Sequence, residues 1–261
     1  MILEEFDESK TAIFNPSTVR KINNEMPKIA VSCFSSELLN RLVEIFHGVE
    51  IDKTHNANGY FPIYKINYNG TYIALFNSCV TAPAVVAEYE EVYALGVEKI
   101  IVFGTCGVLD RTIDDLAIII PTSAIRDEGT SYHYCSSSDE ISTNPRYVDE
   151  FIDLLKEHNY SYTLGKTWTI DAIYRETRKK IERRKEQGCI CVEMESSAIF
   201  ALANFRGKEA FQFFYAADNL DGAEWDSRSL LKNDIINETE KIGLLAINFA
   251  DKISKLQKSR R

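Results

Sequence analysis

Short runs of β-branched and apolar residues recur along the chain, separated by segments with helical periodicity. Several of these runs are apolar at successive positions, which is typical of strands that helices cover on both faces. The runs are Lys28–Phe34, Thr71–Phe76, Lys99–Phe103, Leu116–Ile120 and Phe211–Ala216. Strands that alternate with helices predict an α/β fold, with a central mixed, largely parallel sheet flanked by helices.

The helix-like segments lie between and after these runs. They are Ser36–Phe46, Ala84–Leu95, Pro145–His158 and a C-terminal stripe of apolar residues from Ile242 to Leu256. The pair Asn144-Pro145 is typical of a helix start. Because no Pro/Gly/Ser-rich linker interrupts the chain, the sequence predicts a single domain over 1–261. An N-terminal extension at about 1–27 and a frayed tail at about 257–261 are expected at its ends.

The charge balance limits the classes of partner. The formal net charge is −9 and the isoelectric point is about 5.1, whereas a nucleic-acid binder normally has a basic face. A basic run at 178–185 is interleaved with Glu182 at helical spacing, which indicates a solvated helix face. We therefore expect no nucleic-acid partner.

Neither a membrane nor a metal is expected. No apolar run reaches the ~18 residues that span a bilayer, and the N-terminus MILEEFDESK lacks the features of a signal peptide. The six cysteines form no CxxC pair, and a metal site at Cys189, Cys191 and His133 lacks the ligand spacing of zinc sites. The sequence predicts a cytoplasmic protein with free thiols and without a bound metal.

Small polar residues and an aspartate follow two of the strand-like runs, at the strand ends where ligands bind in α/β folds. Gly104, Thr105, Cys106 and Gly107 can turn backbone N–H groups toward an anion, although the same residues suit a tight strand exit without a ligand. Asp218 follows the last run, where a desolvated carboxylate acquires a raised pKa and can act in acid–base chemistry. Its alternative role is to cap a turn.

Two further segments combine proton carriers with hydrogen-bond donors. The segment 122–134 contains Arg126 and His133, and the segment 165–177 contains Tyr174 among acidic and basic residues. Such mixtures suit stacking on a planar group and hydrogen bonding to its edge, whereas a lone histidine is more often structural. Their position beyond strand-like runs makes these three residues candidates for substrate binding.

An acidic stretch leads directly into an apolar helix. Glu193 and Glu195 flank Met194, and serines and apolar residues follow them. Carboxylates near a helix N-terminus are favourable by ~0.3–1 kcal/mol, and this electrostatic role can account for Glu193. Glu195 fits that role less well, because the small and apolar residues after it indicate a packed helix end. Glu195 is therefore a candidate for a second role.

Three motifs in one order carry a resemblance to a known family. GTCG at 104–107, VEMES at 192–196 and a strand that ends in Asp218 resemble the nucleoside phosphorylase family, which includes purine nucleoside phosphorylase, uridine phosphorylase and methylthioadenosine nucleosidase. The resemblance extends from about Lys28 to Phe249, and the stretches RDEGTSYHY and TIDAIYRET are most similar to the uridine phosphorylase branch. It implies that family's fold and an enzyme without a metal or an organic cofactor.

The resemblance implies roles for individual residues. In the family the second glutamate of the EME motif accepts hydrogen bonds from the ribose hydroxyls, and this glutamate is Glu195 here, with Met194 against the sugar. Asp218 lies where purine-cleaving members donate a proton toward N7 of the departing base. Arg228 corresponds to an arginine that helps to close the loop over this aspartate. The family also implies a homo-oligomer in which a neighbouring subunit completes the site.

One position departs from the family. Its phosphorylases have an arginine that grips phosphate two residues before the first glycine of the GTCG-like loop, and this chain has Val102 there. Arg126 is the candidate that supplies the missing charge, and its alternative role is an ion pair with Asp127 and Glu128. A hydrolytic relative instead uses a glutamate after the first strand to activate water. Glu37 lies near that place, where it also suits the first turn of a helix.

The expected function is cleavage of the N-glycosidic bond of a ribonucleoside. Phosphorolysis, with inorganic phosphate as co-substrate, would give a free base and ribose 1-phosphate. Hydrolysis by water and a catalytically silent nucleoside-binding protein are the alternatives. The residues after TIDAIY do not reproduce the glutamine and arginine that read uracil in uridine enzymes, so a purine is favoured and uridine stays open.

Overall fold

A ten-stranded mixed sheet forms the centre of the protein, in a computed structural model that describes residues 2–232 and 234–258. The strands are β1 (Ile29–Cys33), β2 (Val49–Asn56), β3 (Gly59–Tyr68), β4 (Thr71–Asn77), β5 (Lys99–Val108), β6 (Ile118–Asp127), β7 (Glu140–Ser142), β8 (Tyr162–Ile170), β9 (Cys189–Glu193) and β10 (Glu209–Asn219). Their order is β10-β6-β8-β9-β5-β1-β4-β3-β2, with β7 on β6. The predicted α/β fold with a mixed sheet and flanking helices is confirmed.

Part of the sheet closes on itself. β10 is paired in parallel with β5 and antiparallel with β6, so that β5, β10, β6, β8 and β9 form a closed circuit. β1, β4, β3 and β2 extend from β5 as an open arm. Closure pairs the backbone N–H and C=O groups that an open sheet leaves unpaired at its edges. It also brings β9 and β10, which are distant in sequence from β5, to the two sides of that strand.

The helices pack on both faces of this sheet. They are α1 (Pro16–Val19), α2 (Ser36–Ile45), α3 (Ala82–Leu95), α4 (Pro145–Glu157), α5 (Arg178–Glu186), α6 (Ser196–Arg206) and α7 (Ile236–Lys258), with 3₁₀ turns at Ile2–Glu4, Thr130–His133 and Ile173–Arg175. Two starts are capped as their sequences indicate, since Ser35 Oγ accepts from Leu38 N and Asn144 Oδ1 accepts from Arg146 N. The helices predicted from apolar periodicity are present.

Two apolar layers hold the helices to the sheet. On one face α2, α4 and α7 pack on a cluster of aromatic rings, in which Phe151 lies 4.5 Å from Phe213 and 4.9 Å from Phe249 between ring centroids. On the other face α3 and α6 pack through residues such as Tyr89 and Phe200. Burying an aromatic side chain stabilises a fold by about 1.5–3 kcal/mol, so these layers fix the positions of the strand ends.

The strand ends lie further along the chain than the sequence predicts. β5 continues through 104–107 to Val108, β6 continues to Asp127, and β10 continues to Asn219. Their last residues include polar ones, because pairing with neighbouring strands satisfies the backbone there whatever the side chains are. Strands β2, β3, β7, β8 and β9 were not predicted, since their apolar patterns are short or interrupted.

The chain termini extend the fold in different ways. Residues ahead of β1 run over the surface, where Phe6 packs edge-on against Phe205 and Arg206 Nη1 donates to the carbonyl of Lys10. At the other end α7 runs to Lys258, so the predicted frayed tail at 257–261 begins inside a helix. Residues 259–261 of that tail lie outside the described residues.

Candidate active site

The GTCG stretch forms the last part of β5. The predicted turn or strand exit is therefore wrong, because β10 and β9 pair with β5 up to Val108. Thr105 is the exposed residue of a strand whose other members are buried. A Cβ on Gly107 would lie 2.4 Å from Leu220 Cδ1 and 3.1 Å from Asp218 Oδ1. Glycine is needed there because neighbouring side chains approach the strand closely.

The strand register brings two acidic segments to the same end of β5. Gly107 pairs with Asp218 of β10 on one side and with Val192 of β9 on the other. Glu193 directly follows Val192. Since neighbouring strands lie ~4.8 Å apart, the two acidic segments are separated by roughly 10 Å across β5. This separation suits the two ends of one small molecule, such as a sugar joined to a base.

Glu193 holds the junction between β9 and α6. Its Oε2 accepts from the backbone N–H groups of Glu195 (2.8 Å) and Ser196 (2.7 Å), and its Oε1 accepts from the hydroxyls of Thr167 (3.2 Å) and Thr169 (2.6 Å). Burial raises the pKa of the Glu193 carboxyl, and these hydrogen bonds oppose the rise. All four donors belong to the protein, so the structure uses Glu193, a predicted substrate-binding residue, to cap α6.

Glu195 has a different environment two residues later. Its carboxylate accepts from the backbone N–H of Thr81 at 2.7 Å, and the residue is buried. Burial and the neighbouring Glu193 raise the pKa of the Glu195 carboxyl to about 8. Hydroxyl donors that reach this carboxylate would stabilise its ionised form. We refer to Thr81, Glu193 and Glu195 as the glutamate cluster.

Thr81 supports Glu195 at a backbone cost. It precedes α3 with φ 84° and ψ 144°, and its side chain makes no capping hydrogen bond. A positive φ is unfavourable for a β-branched residue. Such conformations cluster at functional sites, where the surrounding structure enforces them. The N–H directed at Glu195 is the observed consequence of this conformation.

Asp218 forms the second acidic group with neighbours that were not predicted. Its Oδ2 accepts from the indole N–H of Trp225 at 2.7 Å. Burial raises the pKa of Asp218, while the Trp225 hydrogen bond and the positive charge of Arg228 oppose the rise. Burial and the nearby charge of Asp218 also raise the pKa of Glu176 to about 7. We refer to Glu176, Asp218 and Trp225 as the aspartate cluster.

Arg228 lies in the loop after β10 and links this loop to the connection between β5 and β6. Its Nη1 donates to the carbonyl of Ile113 at 2.8 Å, and its Nε lies 3.7 Å from Asp226 Oδ2. Its φ of 41° is a left-handed backbone conformation. Its positive charge opposes the rise in the pKa of Asp218, and its hydrogen bond to Ile113 links this loop to the connection after β5.

Arg126 does not have the free guanidinium that phosphate binding requires. Its Nε donates to Ser131 Oγ, its Nη1 donates to the carbonyl of Ser136 and to Ser138, and its Nη2 donates to the carbonyl of Cys135. The residue is buried. The predicted phosphate contact and the alternative ion pair with Asp127 and Glu128 are both corrected. Arg126 instead organises the segment after β6.

Several other candidates lie at the surface or in the core. Met194 is partly exposed beside Glu195, whereas His133 is exposed and Tyr174 has 95% of its side chain exposed. Glu37 is exposed in the first turn of α2. Val102 is buried among apolar side chains, so its position offers no charge.

The described residues narrow the ligand chemistry further. Among residues 2–232 and 234–258, no group of three or more His, Cys, Asp or Glu side chains could hold a metal ion. All six cysteines are free, and burial raises the pKa of the Cys106 thiol well above its ordinary value. In the same ranges no helix is both long and apolar enough to cross a membrane.

Comparison with known proteins identifies the family. The model of the phosphorylase superfamily matches residues 28–251, which include both acidic clusters and the GTCG strand. The chain therefore belongs to the phosphorylase superfamily, as the three motifs predicted.

Individual relatives are distant. A guanosine phosphorylase of Halorubrum lacusprofundi is 27% identical over 155 residues, which cover 59% of this chain and 64% of that protein. A solved uridine phosphorylase of Vibrio fischeri superposes with a TM-score of 0.74 at 20% identity, covering 90% of this chain and 95% of that one. A purine nucleoside phosphorylase of Toxoplasma gondii gives 0.72 at 18% identity, covering 87% and 90%. At such identities the two structures establish the fold.

Proposed function

We propose that this member of the phosphorylase superfamily cleaves the N-glycosidic bond of a purine ribonucleoside by phosphorolysis. The bond between C1′ and N9 breaks with its electron pair leaving on the base, and a phosphate oxygen forms a new bond to C1′. The products are the free base and ribose 1-phosphate. The observation that carries the proposal is the register at Gly107, which has Asp218 on one side and the strand leading to Glu193 and Glu195 on the other.

The glutamate cluster supports a role for Glu195 in holding the sugar. A buried carboxylate that receives one backbone N–H can accept from both hydroxyls of a 2′,3′-diol. Such charge-assisted hydrogen bonds are strong. The ionised carboxylate would also stabilise the positive charge that develops on the ribose as the glycosidic bond breaks.

The aspartate cluster supports proton donation to the base. A purine leaves poorly as an anion, so a proton delivered to N7 lowers the barrier. Burial raises the pKa of Asp218, which favours the protonated form that donation requires. The guanosine phosphorylase relative, 27% identical over its aligned part, supports a purine as the base.

Phosphate is the ligand to which we assign the fewest groups of this chain. Val102 is buried where the family's phosphorylases have arginine, and a Cβ on Gly104 would lie 2.6 Å from the ring of Phe34. The Cys106 thiol of the GTCG strand is directed at the carbonyl of Tyr215. Thr105 is exposed, and its hydroxyl is the protein group that we assign to phosphate.

A nucleoside panel with and without phosphate tests the proposal. Guanosine, inosine, adenosine and uridine are incubated with the protein, and base and sugar products are separated by chromatography. We expect purine release that depends on phosphate and yields ribose 1-phosphate. Equal release without phosphate, with free ribose as product, would assign the reaction to water, and no release from any nucleoside would leave a binding protein.

A homo-oligomer and a cytoplasmic location belong to the same proposal. A second subunit at the open side of the site would provide the charge that this chain lacks near Thr105. Free thiols agree with a reducing compartment. Light scattering on the active protein tests the assembly, and a fully active monomer would contradict it.

A further inference from the structure

The loop after Asp218 has a fixed backbone. Asn219 and Asp226 exchange two backbone hydrogen bonds, at 2.8 and 3.1 Å, which close the loop at its base. Arg111 Nη2 donates to the carbonyl of Asp221 at 2.6 Å, and Arg178 Nη2 donates to the carbonyl of Ala223 at 3.1 Å. The loop is therefore held between α5 and the connection after β5.

Trp225 is a large, exposed aromatic residue on this loop. Its side chain is 55% exposed, whereas Trp168, the other tryptophan of the chain, is fully buried. Indole N–H groups bind to a partner when they can, and that of Trp225 donates to Asp218 Oδ2 at 2.7 Å. A large aromatic surface is thus left open beside the acidic group proposed to serve the base.

The two oxygens of Asp218 face different neighbours. Oδ2 is occupied by the indole of Trp225, whereas Oδ1 lies toward Gly107, where a Cβ would approach it to 3.1 Å. Trp225 therefore fixes the rotation of the carboxyl group. Oδ1, which is directed to the end of β5, is the oxygen that the indole of Trp225 leaves unoccupied.

We propose that Trp225 is a positioning residue of the base subsite, which orients Asp218 through its indole N–H and contacts the face of a planar heteroaromatic base with its exposed ring. The inference rests on the proposed function, because it assigns the base to Asp218. In this inference Trp225 sets the orientation of the base and selects which carboxyl oxygen of Asp218 contacts the base.

The same hydrogen bond adjusts the acidity of Asp218. It opposes the rise in pKa that burial causes, because an N–H donor stabilises the ionised carboxylate. Other charged or titratable groups also act on Asp218 or feel its charge: Arg228 and Asp226 from its own loop, Glu176 after the 3₁₀ turn Ile173–Arg175, and Cys106 on β5. Removing the indole N–H should raise the pKa of Asp218 while these groups stay in place.

The variant Trp225→Phe separates the N–H from the ring. It keeps an aromatic face and removes the donor, while Trp225→Leu removes both. If protonated Asp218 is required, activity falls as pH rises through its pKa. The alkaline limb of the kcat/KM profile should then move upward by roughly one pH unit in Trp225→Phe. In Trp225→Leu the KM for guanosine should also rise several-fold. Tyr72→Phe, at an exposed tyrosine on β4, is the matched control and should not move the limb.

Tryptophan fluorescence tests the ring contact without turnover. Hypoxanthine should quench the emission of the wild type and leave that of Trp225→Phe unchanged, because the remaining Trp168 is buried. An alkaline limb that coincides with the wild type, or a quench retained in Trp225→Phe, would overturn the inference. If the wild type cleaves no nucleoside, the proposed function fails, and the hypoxanthine titration alone decides: a quench lost in Trp225→Phe supports the contact, and no wild-type quench refutes it.

Discussion

The glutamate cluster and the aspartate cluster lie on opposite sides of β5 and are built differently. The glutamate cluster is formed by residues at the junctions of β4 with α3 and of β9 with α6, and Glu193 and Glu195 are buried. The aspartate cluster joins the end of β10 to two loops, and its Glu176, Asp218 and Trp225 are partly or largely exposed. One side is thus part of the core, and the other is open to solvent.

The difference indicates how the two sides divide their tasks. In the glutamate cluster the carboxylate of Glu193 accepts hydrogen bonds from the backbone at the start of α6. The carboxylate of Glu195 accepts from the backbone N–H of Thr81, which holds it in place. In the aspartate cluster the carboxyl is oriented by a side chain from a surface loop. The buried side suits the ribose, which ribonucleosides share, and the more exposed side, built from loops, suits the base, which differs between them.

The largest effect is expected from Glu193→Ala. It leaves the buried N–H groups of Glu195 and Ser196 without their acceptor, and each unsatisfied donor costs about 1–3 kcal/mol. We expect a loss of about 2–6 kcal/mol in the free energy of unfolding, measured by urea denaturation. Glu195→Ala is the control and should lose much less. Equal losses in the two variants would show that both glutamates are structural.

The next effect is expected on the aspartate side. Asp218→Asn should lower kcat/KM for guanosine or inosine about 100-fold, the lower end of general acid catalysis. The natural control substrate is 7-methylguanosine, because its base leaves without a proton at N7. An equal loss on the methylated substrate would mean that Asp218 shapes the loop and donates nothing.

Glu195→Gln should have a somewhat smaller effect on activity and little on folding. The neutral amide loses charge-assisted acceptance from the diol, which is worth about 1.5–3 kcal/mol, or roughly 10- to 100-fold in kcat/KM. The same variant assayed on 2′-deoxyribonucleosides should lose less, since one of the two donors is absent. Near-normal activity in a folded variant would remove Glu195 from the sugar site.

The smallest effect is expected at Thr81, where the glutamate side stores backbone strain. Thr81→Gly should stabilise the protein by about 1 kcal/mol, because glycine tolerates the positive φ. Thermal unfolding should show a rise of about 2–4 °C. Thr81→Ala keeps a Cβ and should show no such rise. A gain of the same size in Thr81→Ala would place the effect in the side chain instead of the backbone.

Most of the fold and part of the site could be predicted from the sequence. Periodicity located α2, α3, α4 and α7, and β-branched runs located β1, β4, β5, β6 and β10, because burial dictates those patterns locally. The three motifs led to Glu195 and Asp218, whose places at the strand ends the structure then showed. The ends of β5, β6 and β10 extend beyond the predicted runs, since polar residues in paired strands look like loops in a single sequence.

Contacts between residues that are distant in the sequence determined the roles of the remaining site residues. Arg126 and Asp218 both follow strand-like runs, yet the guanidinium of Arg126 donates to a serine hydroxyl and a carbonyl of the next segment, whereas Asp218 keeps one oxygen toward Gly107 of β5. Trp225 and Thr81 carried no sequence signal, and Glu176 was one polar residue of the segment 165–177, because each acquires its role from a residue 7 to 114 positions away.

The sequence by itself determined the α/β class, the family and the acidic residues Glu195 and Asp218. Apolar periodicity and short motifs can be recognised from neighbouring residues in the sequence. Only the tertiary structure decided that β10 closes a circuit with β5 and β6, and that Gly107 has Asp218 and the Glu193 strand on its two sides. Closure depends on strand pairings between distant segments, whose energies arise only when the chain has folded. Those pairings bring two separate acidic segments to the two sides of one strand end.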